Sequence, residues 1–365
     1  MMRYLSVCSG IEAASVAWHP LGWEPLAFSE IEKFPRKVLS HHYPDVSLHG
    51  DFTVLREQEW IKDADILVGG TPCQAFSVAG LRNSLDDDRG NLTLEFVRLA
   101  DAIDNLRRTG TIIVWENVPG VLSVKDNAFG CFLAALVGNN EPLIPTGGKW
   151  TNAGMVMGPK RRAAWRVLDA QYFGVAQRRR RVFVVASSRD GFDPAEVLFE
   201  REGLRRDSPP RREAGKEVTA TTAQCFDRQR SDEYGTDDIA STMNARDFKA
   251  ATDLVAQPIP LDTMNIIERP SDKRRANRIG RGYGEAGDPM FTITKGHSHA
   301  VATSMAVRRL TPRECERLQG FPDDYTAILG AADGPRYKSL GNSMAVPVMA
   351  WLGKRIQKHM RKDTQ

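Results

Sequence analysis

The sequence predicts an α/β protein with a Rossmann-like, mostly parallel sheet, helices on both faces, and a smaller, irregular β-rich domain. Two observations lead to this fold class. In the first half of the chain, short apolar segments rich in β-formers alternate with helical patterns, which is typical of a parallel sheet covered on both faces. From about residue 187 the chain becomes rich in Arg, Asp, Thr, Gly and Pro, with few long apolar stretches. This change predicts a second, smaller unit.

Four short apolar segments predict buried strands that each end at a loop: residues 4–7, 66–68, 112–115 and 182–185. Between them, apolar side chains from Leu92 to Leu106 recur on one face of an amphipathic helix that ends near Gly110. In parallel α/β sheets, ligands bind at the carboxyl ends of the strands. The polar and special residues of this chain follow the predicted strands directly, at 9–10, 72–74 and 116–117.

Length and composition favour a globular protein of two domains. A single core stops growing at roughly 250–300 residues, and this chain has 365 residues, of which 41% are hydrophobic and 26% charged. No apolar stretch approaches a membrane span, and the N-terminus lacks a signal-peptide pattern, so we expect a cytoplasmic protein. The five cysteines are widely spaced without a C-x-x-C pair, which predicts neither disulfides nor a metal site.

Basic residues are concentrated in four segments, although the net charge is only +4. The segments are 178–181, 205–212, 273–281 and 354–362. Each one alone is compatible with a solvated face, but four together favour a surface that contacts phosphates.

The segment 200–290 is either a disordered linker or an irregular domain of short strands and loops, and its composition favours the domain. Helical patterns return at Thr311, where an N-cap residue is followed by Pro312 and by Glu314 at the third helical position. The chain ends on a basic helix.

Five motifs occur in one order along the chain: Pro72-Cys73-Gln74, Glu116-Asn117-Val118, Gln177-x-Arg179-x-Arg181, the segment 308–322, and Gly341-Asn342-Ser343. In residues and order they resemble the cytosine carbon-5 DNA methyltransferase family of bacterial and phage type. The resemblance covers about 3–186 and 305–360. It implies a catalytic, S-adenosylmethionine-binding domain of residues 1–186 completed by 335–365, and a target-recognition domain of residues 187–334 that includes the late motif helix.

The resemblance implies that Cys73 is the nucleophile that adds to carbon 6 of cytosine, since an electron-rich ring is needed before carbon 5 can attack a methyl group. Glu116 would then donate a proton to ring nitrogen 3. Arg179 and Arg181 are similar to arginines that hold the base oxygen and position the catalytic loop, with phosphate contacts or salt bridges as the alternative. Asn117 resembles a residue that braces this loop.

For S-adenosylmethionine, Glu30 aligns with the acidic residue that binds the ribose hydroxyls, and Ile31 lies beside the adenine. The other expected cofactor residues are Ser9, Gly10, Ile11, Asp51, Phe52, Pro72, Leu92, Asn342 and Ser343. The first loop departs from the family, because many members have an aromatic residue at Cys8 and glycines at Glu12 and Ala13. A carboxylate on a ribose also suits NAD, but no G-x-G-x-x-G follows the first strand.

The expected macromolecular partner is double-stranded DNA, from which the target cytosine must be flipped, and the expected state is a monomer. We expect DNA contacts from Gln177, Arg274, Arg275 and Thr292. The resemblance also allows a cognate restriction endonuclease that acts separately. Two alternatives stay open: a tRNA cytosine-5 methyltransferase, and a catalytically silent DNA-binding relative, against which the intact Cys73 and Glu116 argue.

Overall fold

The computed structural model describes residues 1–72, 92–200 and 311–362, except positions 108, 125 and 176, together with the backbone of short strands between 225 and 309. Predictions for Cys73, Arg274, Arg275 and Thr292 therefore fall outside the described residues.

The main sheet has eight strands within the described residues, in the order β3-β2-β1-β4-β5-β8-β7-β6. The first five run parallel, and β8, β7 and β6 complete the sheet in antiparallel pairing. The predicted Rossmann-like, mostly parallel sheet is confirmed. The strands are β1 (Arg3–Val7), β2 (Glu24–Ser29), β3 (Ser47–His49), β4 (Ile66–Gly69), β5 (Ile112–Asn117), β6 (Ala153–Met157), β7 (Arg162–Asp169) and β8 (Arg180–Ser187).

Two of the helices lie where amphipathic spacing and a capping motif predict them. One of them spans Leu92–Leu106, the predicted amphipathic segment, and another has a capping box in which Thr311 and Glu314 bond to each other's backbone N–H groups. The helices are α1 (Ala13–Trp18), α2 (Lys33–His42), α3 (Leu92–Leu106), α4 (Ala128–Val137), α5 (Pro194–Leu198), α6 (Pro312–Gln319), α7 (Asp333–Asn342) and α8 (Val346–Lys362).

Two apolar cores lie on opposite faces of the sheet, because successive strand residues point to opposite sides. Tyr4 of β1 faces α1 and α8, where Trp18 also donates its ring N–H to the Met349 carbonyl at 2.8 Å. Leu5, the next residue along β1, faces the core that contains the buried side of α3. Burial at about 25 cal/mol per Å² of apolar surface makes these two layers the main stabilising contribution.

The predicted domain boundaries at 186/187 and 334/335 divide one of these cores. Phe192 and Leu198 after β8, and Leu318 and Tyr325 at and after α6, belong to the same buried cluster as the sheet. We therefore infer that 188–200 and 311–334 belong to the catalytic domain, which leaves about 201–310 as the inserted unit. The composition change near 187 comes before α5, because α5 is short and is followed by polar sequence.

Within 225–309 the described backbone consists of strands in two small antiparallel sheets, with orders β10-β9-β11 and β12-β13-β14. The predicted β-rich character of this region is therefore present. The strands are β9 (Cys225–Arg230), β10 (Glu233–Asp237), β11 (Asp253–Val255), β12 (Ile259–Asp262), β13 (His299–Ala302) and β14 (Val307–Arg309). Among the described residues, no helix has the length and apolarity that a membrane crossing requires.

Candidate active site

The carboxyl ends of four parallel strands lie level at one edge of the sheet. Val7 at the end of β1 pairs with Ser29 of β2 on one side and with Gly69 of β4 on the other, and Gly69 pairs with Trp115 of β5. The strand order reverses at β1, which is the point where open α/β sheets bind ligands. The predicted site residues that follow these strands are thus brought together.

The loop after β1 turns sharply beneath this edge. Cys8, Gly10 and Glu12 all have positive φ, at 50°, 56° and 64° respectively, and only glycine adopts this region without strain. The Ser9 amide donates to the Ser29 carbonyl at 3.1 Å, and the Gly10 amide donates to the Glu30 carboxylate at 2.8 Å. These bonds hold the loop against the end of β2.

Glu30 is positioned by two backbone donors. Besides the Gly10 amide, the Glu32 amide donates to its second oxygen at 2.8 Å, and the side chain is buried. Ile31 beside it is 71% exposed and presents an apolar surface to the outside of the sheet edge. Asp51 accepts from the Thr53 amide at 2.9 Å and begins a 3₁₀ turn in which Phe52 is buried. These four residues form one side of the candidate site.

A narrow cavity runs from the first loop to the end of β5. Of the predicted site residues it touches Ser9, Gly10, Glu116, Asn342 and Ser343. The motif Gly341-Asn342-Ser343, far along the sequence, therefore reaches the β1–β4 edge. Glu12 is a wall residue that the sequence did not predict.

Glu116 closes the far end of this cavity and is 7% exposed. Its Oε1 lies 3.2 Å from Nε of Arg181, an ion pair without hydrogen-bond alignment, and this oxygen has no hydrogen-bond partner among the described residues. Burial raises the pKa of the Glu116 carboxyl, while the positive charges of Arg181 and Arg179 lower it by less. A β-carbon at Gly70 would stand 3.3 Å from Oε2, so glycine there leaves room beside the carboxyl.

Arg179 and Arg181 both act on Glu116, as their predicted common face requires, but their contacts differ. Arg179 is buried, and its Nη2 donates to the carbonyls of Gly341 at 3.1 Å and Ser343 at 2.5 Å. Burial lowers the pKa of Arg179 to about 9, which leaves the guanidinium charged at neutral pH. Arg179 therefore ties β8 to the cavity wall, and Arg181 is the arginine beside the Glu116 carboxyl.

Thr71, the second residue before Cys73, is held from three directions, which the sequence analysis did not foresee. Its hydroxyl lies 2.7 Å from that of Thr93 in α3 and accepts the Trp115 ring N–H at 3.0 Å. Its carbonyl accepts from the side-chain amide (Nδ2) of Asn117 at 3.0 Å. Asn117 thus braces the segment that leads to Cys73, and a buried threonine beside the motif was the signal that could have identified this anchor.

Two predicted side chains point away from the site. Gln177 is fully buried and donates to the Leu318 carbonyl at 3.1 Å, so it holds the end of α6 and cannot reach DNA. Alternation along the chain makes Gln177 and Arg179 internal, whereas Arg178 and Arg180 are exposed. Ile11 is also fully buried in the apolar core, and only its backbone remains near the loop.

Leu92 and Pro72 lie outside the cavity lining. Leu92 begins α3 and is partly buried against the core, and Pro72 is exposed at the end of the segment that follows β4. Neither lines the cavity described above, so their predicted contacts with a cofactor stay predictions.

The described cysteines do not have the environment of a reactive thiol. Burial, together with the negative charges of Glu30 and Asp51, raises the pKa of Cys8 to about 12. Burial also raises the pKa of Cys315 to about 12 and that of Cys131 above its usual value. Thiols with raised pKa values remain protonated and are poor nucleophiles. Within the described part of the chain, no cluster of three or more His, Cys, Asp or Glu side chains could hold a metal ion.

Comparison with known proteins gives a family match over nearly the whole chain. Residues 2–358 match the profile of the family described as C-5 cytosine-specific DNA methylase. The chain belongs to this family. The resemblance found in the sequence motifs is therefore confirmed, and the match also spans the central segment, where no motif was recognised.

Curated relatives include proteins of phage and bacterial origin. The chain is 43% identical to a DNA N-6-adenine-methyltransferase of Escherichia phage P1 over 97% of its own length, and it spans 61% of that protein. It is 25% identical to the type II methyltransferase M2.BsuMI of Bacillus subtilis, over 97% of this chain and 75% of that one.

Among solved structures, the S. pombe Dnmt2 methyltransferase superposes with a TM-score of 0.56 at 16% identity and covers 98% of both chains. At 16% identity this likeness shows a shared fold and does not identify the substrate.

Proposed function

We propose that this chain is a DNA (cytosine-5-)-methyltransferase that uses S-adenosylmethionine. The observation that carries the proposal is the buried Glu116 carboxyl with Arg181 at 3.2 Å, at the same sheet edge where Asn117 holds the segment leading to Pro72 and Cys73. A buried acid with a raised pKa, at the edge where the segment leading to the Pro72-Cys73-Gln74 motif is held, suits attack on a base that must be protonated.

The residues at the β1–β2 side fit S-adenosylmethionine. Glu30 is fixed by two amide donors, and its carboxylate can accept from ribose hydroxyls with its remaining lone pairs. The exposed Ile31 offers an apolar face to an adenine ring, and Gly10 has open space where a side chain would stand. When bound, the cofactor supplies an electrophilic methyl group on its sulfonium sulfur.

The chain's own residues would then act on the flipped cytosine. The Cys73 thiolate adds to carbon 6, which makes carbon 5 nucleophilic, and Glu116 donates a proton to ring nitrogen 3 to offset the charge that develops there. Arg181, beside Glu116, is placed to hold the base oxygen, and Arg179 keeps the segment 341–343 in position. After methyl transfer, loss of the carbon 5 proton and departure of the thiolate restore the aromatic ring.

We infer that about 201–310 is the target-recognition domain and that double-stranded DNA is the substrate. Arg274, Arg275 and Thr292 remain the proposed contacts of this domain with DNA. On the catalytic domain, the exposed Arg180 replaces Gln177 as the proposed phosphate contact. The type II relatives also favour a role beside a separate restriction endonuclease. We propose that the methyltransferase acts as a monomer.

The phage P1 relative is named for methylation of adenine N6, which makes adenine a competing target. An exocyclic amine can attack a methyl donor directly, so such an enzyme needs neither a thiol nucleophile nor an acid at ring nitrogen 3. Because 39% of that protein lies outside the match, and because Glu116 has the environment of a proton donor, cytosine is favoured here.

One experiment tests the target. The purified protein is incubated with methyl-labelled S-adenosylmethionine and with unmodified genomic DNA or tRNA, and the labelled nucleoside is identified by mass spectrometry. We expect 5-methylcytosine in DNA, mapped by bisulfite sequencing. Label only in tRNA, label in N6-methyladenine, or no label would each contradict the proposal. Cys73→Ser should abolish methyl transfer while cofactor affinity is kept. Cys8→Ala should stay active, because burial raises the pKa of the Cys8 thiol to about 12 and leaves it protonated.

A further inference from the structure

Glu12 occupies an unusual place in the first loop. It is the N-cap of α1 and has left-handed backbone angles, φ 64° and ψ 61°, which cost a side-chain-bearing residue energy that glycine avoids. It is also 1% exposed and forms part of the wall of the cavity that runs to Glu116. An acidic residue with a strained backbone thus stands where glycine is common in the family, which indicates that the carboxyl group has a function.

The carboxylate of Glu12 is held by donors on both oxygens. Oε1 accepts from the Ser6 hydroxyl in β1, and Oε2 accepts from the Ser15 amide at 3.0 Å and from the Ser15 hydroxyl. The Ser15 hydroxyl lies 2.7 Å from the Tyr4 hydroxyl. Since Ser15 donates to Glu12, Tyr4 donates to Ser15, and the network directs its donors toward the Glu12 carboxyl.

The remaining groups packed around Glu12 do not neutralise it. Tyr43 and Tyr325 bond to each other at 3.3 Å, and Tyr325 donates to the Ile11 carbonyl at 3.0 Å. Burial raises the pKa values of both phenols, that of Tyr43 to about 12, so they stay neutral. Burial also raises the pKa of Glu12, and the three hydrogen bonds lower it by less. A cation in the cavity would oppose the effect of burial and favour the ionised form. No cationic side chain lines this cavity within the described residues.

The position of the cavity indicates which part of the cofactor reaches it. Glu30 lies at the β2 side, where the ribose hydroxyls would be held, and Glu116 at the β5 side, where the base would be held. The sulfur must lie between the ribose and the base, because its methyl group is the one transferred. Glu12 lines this intermediate space.

Resting on the proposed use of S-adenosylmethionine, we propose that Glu12 is a specificity-determining residue whose carboxylate favours the cationic sulfonium of S-adenosylmethionine over the neutral thioether of the product. In the transfer, the S–CH₃ bond breaks, its electron pair stays on sulfur, and the methyl group joins carbon 5. The positive charge that Glu12 attracts is thereby lost. Glu12 then strengthens substrate binding without strengthening binding of S-adenosylhomocysteine.

The test is titration calorimetry of the full chain with S-adenosylmethionine and with S-adenosylhomocysteine at mildly alkaline pH. In Glu12→Gln, the amide oxygen accepts from Ser15 and the amide nitrogen donates to the Ser6 hydroxyl, so the bracing is kept and only the charge is removed. We expect S-adenosylmethionine affinity to fall roughly tenfold, because the attraction between the carboxylate and the sulfonium charge is lost. Affinity for S-adenosylhomocysteine should stay unchanged.

The matched control is Glu30→Gln, which should weaken both ligands by the same factor because both carry the ribose. Glu12→Gly, which relieves the left-handed backbone, should lose the same preference for the cation and serves if the glutamine variant does not fold, as judged by thermal unfolding. An unchanged ratio of the two affinities in both Glu12 variants overturns the inference, whether the ligands are weakened equally or not at all. If the unaltered protein binds neither ligand, the proposed function itself fails.

Discussion

Replacement of Glu116 by glutamine tests the acid at the centre of the site. The side chain is 7% exposed, and burial raises its carboxyl pKa despite Arg181 at 3.2 Å. Positioned general acids contribute about 10²–10⁴-fold to a rate. Glutamine keeps one N–H donor but cannot release a proton, so we expect turnover to fall by about 10²-fold, at the lower end of that range. Glu116→Ala should lose more, because the donor is also removed.

The same substitution should change how stability depends on pH. A carboxyl whose pKa is raised in the folded state stabilises fully below its unfolded pKa, and this contribution is lost as pH rises through the folded pKa. The unaltered protein should therefore lose thermal stability relative to Glu116→Gln as pH rises through the raised pKa of Glu116. Turnover of the unaltered protein should fall over the same pH range, since the acid is then deprotonated.

The measurements are turnover on DNA with saturating cofactor, and thermal unfolding at several pH values. The control is Asp324→Asn, which removes an exposed ion pair with Arg313 at 2.6 Å; neither residue lines the cavity, so turnover should stay unchanged. A glutamine variant with near-normal turnover would refute the assignment of Glu116 as the acid. A difference in melting temperature that does not vary with pH would refute the raised pKa.

Three further outcomes follow from the site. Thr71→Val removes the hydroxyl contacts with Thr93 and Trp115, which contribute about 0.5–1.5 kcal/mol each. Turnover should therefore fall about tenfold while cofactor affinity is kept, and Thr71→Ser should restore turnover. Kinetics and calorimetry check this, and a valine variant with normal turnover would contradict the role of Thr71 as an anchor. Glu30→Ala should weaken the binding of S-adenosylmethionine by about 1.5–3 kcal/mol, the range for hydrogen bonds to a charged group. Unchanged affinity would mean that Glu30 only braces the Gly10 and Glu32 amides. Thr292→Ala should alter which cytosines react in a random DNA library mapped by bisulfite sequencing, since a base contact discriminates by about 1–3 kcal/mol; an unaltered site preference would place recognition elsewhere.

The elements of this fold could be predicted because their signals are local. The amphipathic spacing from Leu92 to Leu106 predicts α3, although the predicted end near Gly110 lies beyond the observed end at Leu106. Thr311 with Glu314 predicts the start of α6 through a capping box. The apolar segments of β1, β4, β5 and β8 predict strands, with ends that differ from the observed ones by one or two residues. Alternation of these elements predicts a parallel sheet, but the antiparallel pairing of β6 with β7 carries no comparable signal.

Site residues were predictable where they directly follow strands. Glu30 and Glu116 come at the ends of β2 and β5, and strand register alone brings them to one edge. The direction of a side chain there depends on what packs against it, which a motif does not contain. Gln177 therefore belongs to a recognisable motif yet binds the end of α6, a contact between residues 141 positions apart.

The sequence by itself determined the fold class, the family and the order of the site motifs, because apolar periodicity, caps and short motifs involve only neighbouring residues. Only the tertiary structure decided that α6 shares the core of the sheet and that Arg179 binds the carbonyls of residues 341 and 343. It also decided that Glu12, a departure from the family's glycine, is a buried carboxylate beside the cavity. These outcomes depend on burial and on long-range hydrogen bonds, which arise only when distant segments pack together.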